Sequence, residues 1–341
     1  MCNKSNYFKN STVQCINQRQ ENQYYIIRNY QNLINGIIIN LKISASVGKN
    51  GQNTANDVRL IKALLNTYFR SKNKTILTVD TSVNDDFYNR IGEFQKENQG
   101  TSNPDQLVSA NAKTFKALVS HLKSKFTIKS ITKPARGEIT WSVEGQEGGR
   151  FHSRILHVPS AISGLTIGRG YDMKFRSSGS IKTDLIKAGV DVNSANKIST
   201  AASLIGSKAK EYIITNDLLD FEITPAAQLA LFNKDYISYE KTTIRLCNKS
   251  DVTAKYGTTN WSTLHNSIKE ILIDLTYRGD FKGREREFLQ RHVANNDFSS
   301  FKAELLNLQR WPNVPSQRFA LRKKFLENAA ENTYALNMCS A

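Results

Sequence analysis

The chain is short of cysteine, and the little it has is not arranged for chemistry. Cys2, Cys15, Cys247 and Cys339 are scattered through 341 residues with no CxxC pair. That argues against a disulfide framework and favours reduced, structural thiols. No stretch approaches the roughly 20 apolar residues that span a bilayer. The start, MCNKSNYFKNSTVQC, is polar, and the apolar patch at Ile37 to Ile39 is too short and too far in for a signal peptide. HExxH is missing, so His152 and His157 carry no metalloprotease signature. A nucleophile elbow is missing as well, which argues against peptidase or amidase chemistry. No RNP, zinc-finger or basic-zipper pattern is found, so no specific nucleic acid is expected as a partner. Neither a metal nor any other cofactor is expected.

Acidic residues are also in the minority, 30 against 47 basic ones, for a formal charge of +17. Such a surface seeks polyanions: nucleic acid, an anionic membrane or the polymers of a bacterial wall. Hydrophobic residues make up 39% of the chain and aromatics 9%, enough for a packed core. The length suits two compact domains and a tail.

Residues 1–40 are rich in Asn, Gln and Tyr with weak periodicity and read as a polar leader for transport or docking. From residue 41 the pattern sharpens. Val58, Ile61 and Leu65, with Leu60 and Leu64 alongside, predict an amphipathic helix that Asn56 or Asp57 could cap. Phe87, Ile91 and Phe94 mark a second helix. Phe115, Leu118, Val119 and Leu122 mark a third, after the turn-rich GTSNPDQ. The basic, apolar-poor 123–137 has a linker's composition. Residues 138–341 then form a mostly helical second domain. In it Thr224-Pro225 starts a helix, with Leu229, Phe232 and Tyr236 at helical spacing. Leu264, Ile268, Ile271, Leu272 and Leu275 make a broad stripe that Gly279 can end. Near the end, Leu321 and Phe325 share one helix face while Arg318 and Arg322 share another.

The chemistry concentrates in EGQEGGRFHSRILHVPSAISGLTIGRGYD, residues 144–172. It supplies an acid beside glycines, then a Gly-rich turn around a threonine, ending in a carboxylate. Glycoside hydrolysis needs that pair: one carboxyl to protonate the leaving oxygen, another to activate water or stabilise the sugar cation. Glu144 follows Trp141 at the end of an apolar-aromatic run. Lost hydration there raises a carboxyl's pKa and suits a general acid. Glu147, in an EGG triplet, is the rival acid, and Glu138, in the linker, the poorer one. Thr166 and Asp172 lie six positions apart around Gly168 and Gly170, which permit a tight hairpin. By itself that string reads equally as a Gly-rich turn with an Asx cap at Asp172. Arg150, Arg154 and Arg169 are by default solvated cations, with stem-peptide carboxylates as their alternative partners.

SGLTIGRGYDMK resembles the pesticin-like branch of the phage-type lysozymes, with glycines, threonine and aspartate at the family's offsets. LIDLTYRGD and RWPNVPSQRFALRKKFLE are similar to that family's central and closing helices. The resemblance implies an α+β, mostly α fold with a small β-hairpin lobe. It implies a muramidase that cleaves the β-1,4 bond after N-acetylmuramic acid with inversion. Glu144 would be the acid, Asp172 the base, and Thr166 the holder of the attacking water. Ordinary phage lysozymes place the aspartate before the threonine, the pesticin-like group after it, as here. DVRLIKALLN, FQ and TFKAL within 41–122 resemble a three-helix peptidoglycan-binding module, with Ile61-Lys62 in place of the usual Leu-Gln and Gln106 in place of a turn glycine. Together these imply an antibacterial toxin or lytic effector, made in the cytoplasm and acting on the wall's peptidoglycan after secretion or delivery. An immunity protein and a secretion-machine component would be its further partners. The alternative is a non-catalytic binder of wall polymer or nucleic acid on a degenerate lysozyme-like scaffold.

Overall fold

The computed structural model describes residues 41–126, 132–148 and 152–339, with the side chains of the last helix described as far as 329. The leader at 1–40 lies outside the described residues. The fold is mostly helical, with thirteen α-helices and two small antiparallel strand pairs among the described residues. None of these helices is long and apolar enough to cross a membrane.

The first unit contains α1 (Ala55–Ser71), α2 (Asp85–Gln99) and α3 (Lys113–Ser124). Their apolar stripes converge as the spacing predicts: Val58, Ile61, Leu65, Phe87, Ile91, Phe94, Leu118 and Leu122 form one buried cluster. The cap of α1 differs from expectation. Thr54 holds the N-cap position, while Asp57 accepts from Ser44 N–H, Ala45 N–H and the Ser44 and Thr54 hydroxyls, tying the incoming chain to the first turn. Two strands also join the helices. β1 (Val47–Gly48) pairs antiparallel with β2 (Leu107–Val108), Val47 opposite Val108. Two-residue strands leave no alternation to detect in a sequence.

The residue that stands where a turn glycine is usual, Gln106, has φ +57°, a conformation that favours glycine. Gln95 holds it there. The Gln95 Oε1 accepts from Gln106 N–H at 3.0 Å, and its amide nitrogen donates to the Leu107 carbonyl at 3.1 Å.

The 123–137 segment is less of a spacer than its composition suggests. α3 runs into it as far as Ser124, and Lys125 donates to Asp220 at 2.9 Å. Arg70 of α1 pairs with Asp217 and with Asp220. The first unit's apolar cluster extends to Ile155, Ile214 and Leu219. It is therefore docked on the rest of the chain by charge and by packing.

The remainder is two lobes on a helical spine. The hairpin β3 (Thr166–Ile167) and β4 (Tyr171–Asp172) packs with α5 (Ser178–Lys187), α6 (Val192–Ser199) and α7 (Gly206–Thr215) around Leu165, Ile167, Ile181, Leu185 and Ile198. The other lobe holds α10 (Asn266–Arg278), α11 (Gly283–Ala294), α12 (Phe298–Leu306) and α13 (Ser316–Cys339). Its core is built on the Leu264–Leu275 stripe with Leu289, Phe301 and Trp311. Between them runs α8 (Pro225–Cys247), with α9 (Ser250–Tyr256) after it. Thr224 caps α8 by accepting from Ala227 N–H, and proline opens its first turn. At about 1.5 Å per residue, its 23 residues are long enough to contribute Leu231 to one lobe and Cys247 to the other. At the joint, Phe232 and Tyr236 of α8 meet Ile273 of α10 and Trp141 of α4 (Glu138–Glu144).

The β1–β2 pairing gives the fold's first test. Gly48 sits at φ +120°, and a Cβ there would stand 2.2 Å from the Gln106 carbonyl oxygen. Gly48→Ala is expected to cost at least about 2 kcal/mol from backbone strain and overlap, read as a lowered midpoint in urea unfolding. An unchanged midpoint would show that this strand pair rearranges freely.

Candidate active site

Glu144 is the last residue of α4, a helix that Gly145 terminates in extended conformation. Arg169, from the turn of the hairpin, holds that terminus. Its Nη1 donates to the Trp141 and Gly145 carbonyls, where the helix dipole favours a cation. The guanidinium carbon also lies 4.2 Å from the centroid of the Trp141 ring. Burial pulls the Arg169 pKa down to about 10, countered in part by Glu147, so it remains a cation at neutral pH. Space is tight: a Cβ on Gly145 would meet Ser153 Oγ at 2.3 Å and Arg169 Cγ at 2.5 Å.

The acid's own environment departs from the sequence expectation. Trp141 packs edge-on against Phe232 at 5.0 Å, and a cation rather than an apolar ring is the partner of Glu144. Arg318 of α13 donates to Glu144 Oε1 at 2.6 Å. Among the described residues the Glu144 carboxylate has no other hydrogen-bond partner. Arg318 and Arg322 share a helix face as the spacing predicts, and that face is the buried one. Both converge on Asp274, which is fully buried in α10. Arg322 Nε donates to Asp274 Oδ2 at 2.7 Å, and the Thr140 hydroxyl of α4 donates to Oδ1 at 3.0 Å. Burial opposes the charge on Asp274. Arg322 and Arg318 outweigh it and hold the carboxyl below its ordinary value.

The other two predicted residues are brought face to face. Thr166 and Asp172 are cross-strand partners in the hairpin, so their side chains share one face. Gly168 and Gly170, at φ +63° and +88°, make the turn between them. Asp172 Oδ1 accepts from Lys174 N–H at 2.7 Å and Oδ2 from Gly164 N–H at 3.3 Å. The Asx-type bond expected of a structural turn is therefore present, and lone pairs remain on both oxygens. The Thr166 hydroxyl donates to the Gly164 carbonyl at 3.1 Å. On the far edge His157 exchanges both backbone bonds with Thr166. Its Nδ1 lies 2.9 Å from the Ile155 carbonyl, and burial lowers its pKa.

Two further ties set the hairpin against the spine. Arg176 Nε donates to the Asp172 carbonyl at 2.9 Å while its Nη2 reaches Asp235 of α8 at 2.7 Å. The Tyr277 hydroxyl of α10 donates to the Arg169 carbonyl at 3.0 Å. Tyr239 lies against Tyr277, ring centroids 4.3 Å apart. Its phenol is raised mainly by burial, then by Asp235, with Glu144 and Asp172 adding to the rise. Both candidate carboxylates thus act on one phenol.

The rival Glu147 belongs to a different, buried network. Its Oε2 accepts from Arg154 Nε at 2.7 Å and its Oε1 from Gln228 at 2.7 Å. Arg154 is fully buried and also pairs with Glu222 at 2.6 Å. Arg154 and Arg169 are accordingly internal cations and not solvated ones, because each has buried acceptors; Arg150 lies outside the described residues. Glu138 is not in a linker: it opens α4, exposed, paired with Lys133. His152 accepts from Gly148 N–H on Nδ1, so Nε2 carries the proton toward Glu222, 2.9 Å away.

A family model, described as "Domain of unknown function (DUF8812)", matches residues 137–323. That is more than half of the chain. The chain belongs to this family. The DUF8812 region opens at the residue before α4 and closes just after Arg322, so it takes in Glu144, Thr166, Asp172, Asp274 and Arg318. A search of curated proteins returns no match.

Arg318, Asp274 and the tyrosine pair were not singled out as site residues by sequence reasoning. A signal was there: Asp274 interrupts the apolar run Ile271–Leu275 at a position facing the core, where an unpaired charge is not tolerated. Because the folded pKa of Asp274 lies below the unfolded value near 3.9, its stabilisation is full above that value and is lost as pH falls through the folded one. Asp274→Asn is expected to cost about 3–5 kcal/mol at neutral pH and to flatten the acid limb below about pH 4. Urea midpoints from pH 7 downward check both. A variant whose curve parallels the parent's would remove Asp274 as the anchor.

Proposed function

We propose that this protein is a peptidoglycan hydrolase of the lysozyme type. It cleaves the β-1,4 bond between N-acetylmuramic acid and N-acetylglucosamine, on a phage-lysozyme-like fold. The observation that carries the reading is that Arg169, in the turn between the cross-strand pair Thr166 and Asp172, is bonded to the end of the helix that carries Glu144. In this reading Arg318 holds Glu144 Oε1, so Oε2 delivers the proton to the leaving sugar oxygen as its bond to the anomeric carbon breaks. Asp172 takes a proton from the attacking water, whose oxygen the Thr166 hydroxyl orients, and the new bond forms with inversion. Glu147, with both oxygens committed to internal donors, has no part in the chemistry.

Residues 41–122 act in this reading as a wall-binding module. The pinning of Gln106 by Gln95 and the convergence of three short helices support it. The charge of +17 suits the anionic wall. The whole is an antibacterial effector delivered to the target wall and held in check by an immunity partner.

Incubation of the purified chain with sacculi, followed by mass spectrometry, tests the assignment. Disaccharide-peptides with a reducing muramic end are the expected products. Glu144→Gln should lower the rate by at least about 100-fold while the chain stays folded, its amide oxygen still accepting from Arg318, whereas Glu147→Gln should mainly lower stability. Cleavage only between sugar and peptide, or a fully active Glu144→Gln protein, defeats the proposal.

A further inference from the structure

Asp172 is joined to a surface that the reaction scheme does not use. Phe175, three residues on, is 90% exposed, the most exposed large apolar side chain among the described residues; Ile162 at 73% and Ile205 at 40% are exposed too. These three are linked through Lys174 and Gly164. The Lys174 ammonium donates to the Ile162 carbonyl at 3.0 Å and stands 4.8 Å from the centroid of the Phe175 ring. Gly164 bridges to Ile205 across two backbones. The platform is also fastened to the candidate base: Lys174 N–H donates to Asp172 Oδ1 at 2.7 Å and Gly164 N–H to Oδ2 at 3.3 Å.

Leaving a phenyl ring in water forgoes the gain that burying it would bring, and exposed apolar side chains grouped beside a site mark a binding face. The chemistry narrows the occupant. A flat aromatic face suits the C–H face of a pyranose ring. An ammonium has three protons, one of them here on a carbonyl, and no carboxylate among the described residues lies within ion-pair distance of it. Both features adjoin Asp172, where a polymer would continue past the bond being cut.

We propose that Phe175 and Lys174, backed by Ile162 and Ile205, form a subsite for a flanking sugar of an anionic glycan strand. The sugar's apolar face lies on the Phe175 ring, and its carboxylate substituent lies on the Lys174 ammonium. The inference rests on the hydrolase reading for its substrate class.

Binding is measured on the full chain carrying Glu144→Gln, by calorimetry, with two soluble probes: a hexasaccharide from peptidoglycan that retains its carboxylates, and neutral chitohexaose. Adding Phe175→Ala is expected to weaken both about tenfold, and Phe175→Trp to restore them. Adding Lys174→Met is expected to weaken only the acidic strand, about fivefold. The subsite is overturned if Phe175→Ala leaves both dissociation constants within about twofold of the parent, if Lys174→Met affects both strands equally, or if the parent binds neither. The two readings fail separately. Chains that discriminate the probes but never cut sacculi sink only the hydrolysis. Chains that cut sacculi while the variants bind unchanged sink only the subsite.

Discussion

The second part of this molecule is organised around one buried charge. Asp274 lies in the core of α10 with no exposure, and a carboxylate there is stable only if cations and donors surround it. Arg318, Arg322 and Thr140 do so, from α13 and α4. The requirement fixes three helices relative to one another. It also turns Arg318 so that its other nitrogen meets Glu144. The network continues outward, from Arg322 to Asp280 at 3.2 Å and from Asp280 to Arg278, so the interior charge is neutralised in steps toward solvent. A buried arrangement of this kind contributes less to net stability than to selecting one geometry, since each member is costly without the others.

How much of this was legible in the sequence depends on the length of the signal. Stripes over several turns, such as Leu264 to Leu275 and Val58 to Leu65, were readable because burial repeats with the helix period. So were the start of α8 at Thr224-Pro225 and its N-cap bond. The hairpin was readable from composition, since Gly168 and Gly170 take positive φ where other residues are strained. Pairing across the fold was not readable. Nothing local tells Arg154 and Arg169, which are buried, from solvated arginines, because their acceptors lie on other elements. The surroundings of the two candidate glutamates were not readable either: Trp141 stands three residues from Glu144, but the side chain that pairs with it, Arg318, lies 174 residues away.

The first unit makes the same point from composition. A basic, apolar-poor stretch reads as a spacer, yet Lys125 and Arg70 spend their charge on Asp220 and Asp217. Burial raises Asp217, which Arg70 opposes, while Arg70 and Lys125 overcome burial at Asp220 and lower it. The unit therefore meets the hairpin lobe through a cluster of opposed charges ringed by apolar contacts such as Ile155 and Leu219. Partly buried pairs of this sort are screened less by salt than exposed ones.

The Arg169 clamp has a mechanical consequence. A residue of the hairpin turn is bonded to the last carbonyls of the helix that ends in Glu144, so the hairpin and that helix end travel as one piece. The same short helix is fastened to the opposite lobe, by Thr140 on Asp274 and by Arg318 on Glu144. α4 therefore works as a rivet between the two lobes, and a hinge motion between them has to break bonds on one side of it.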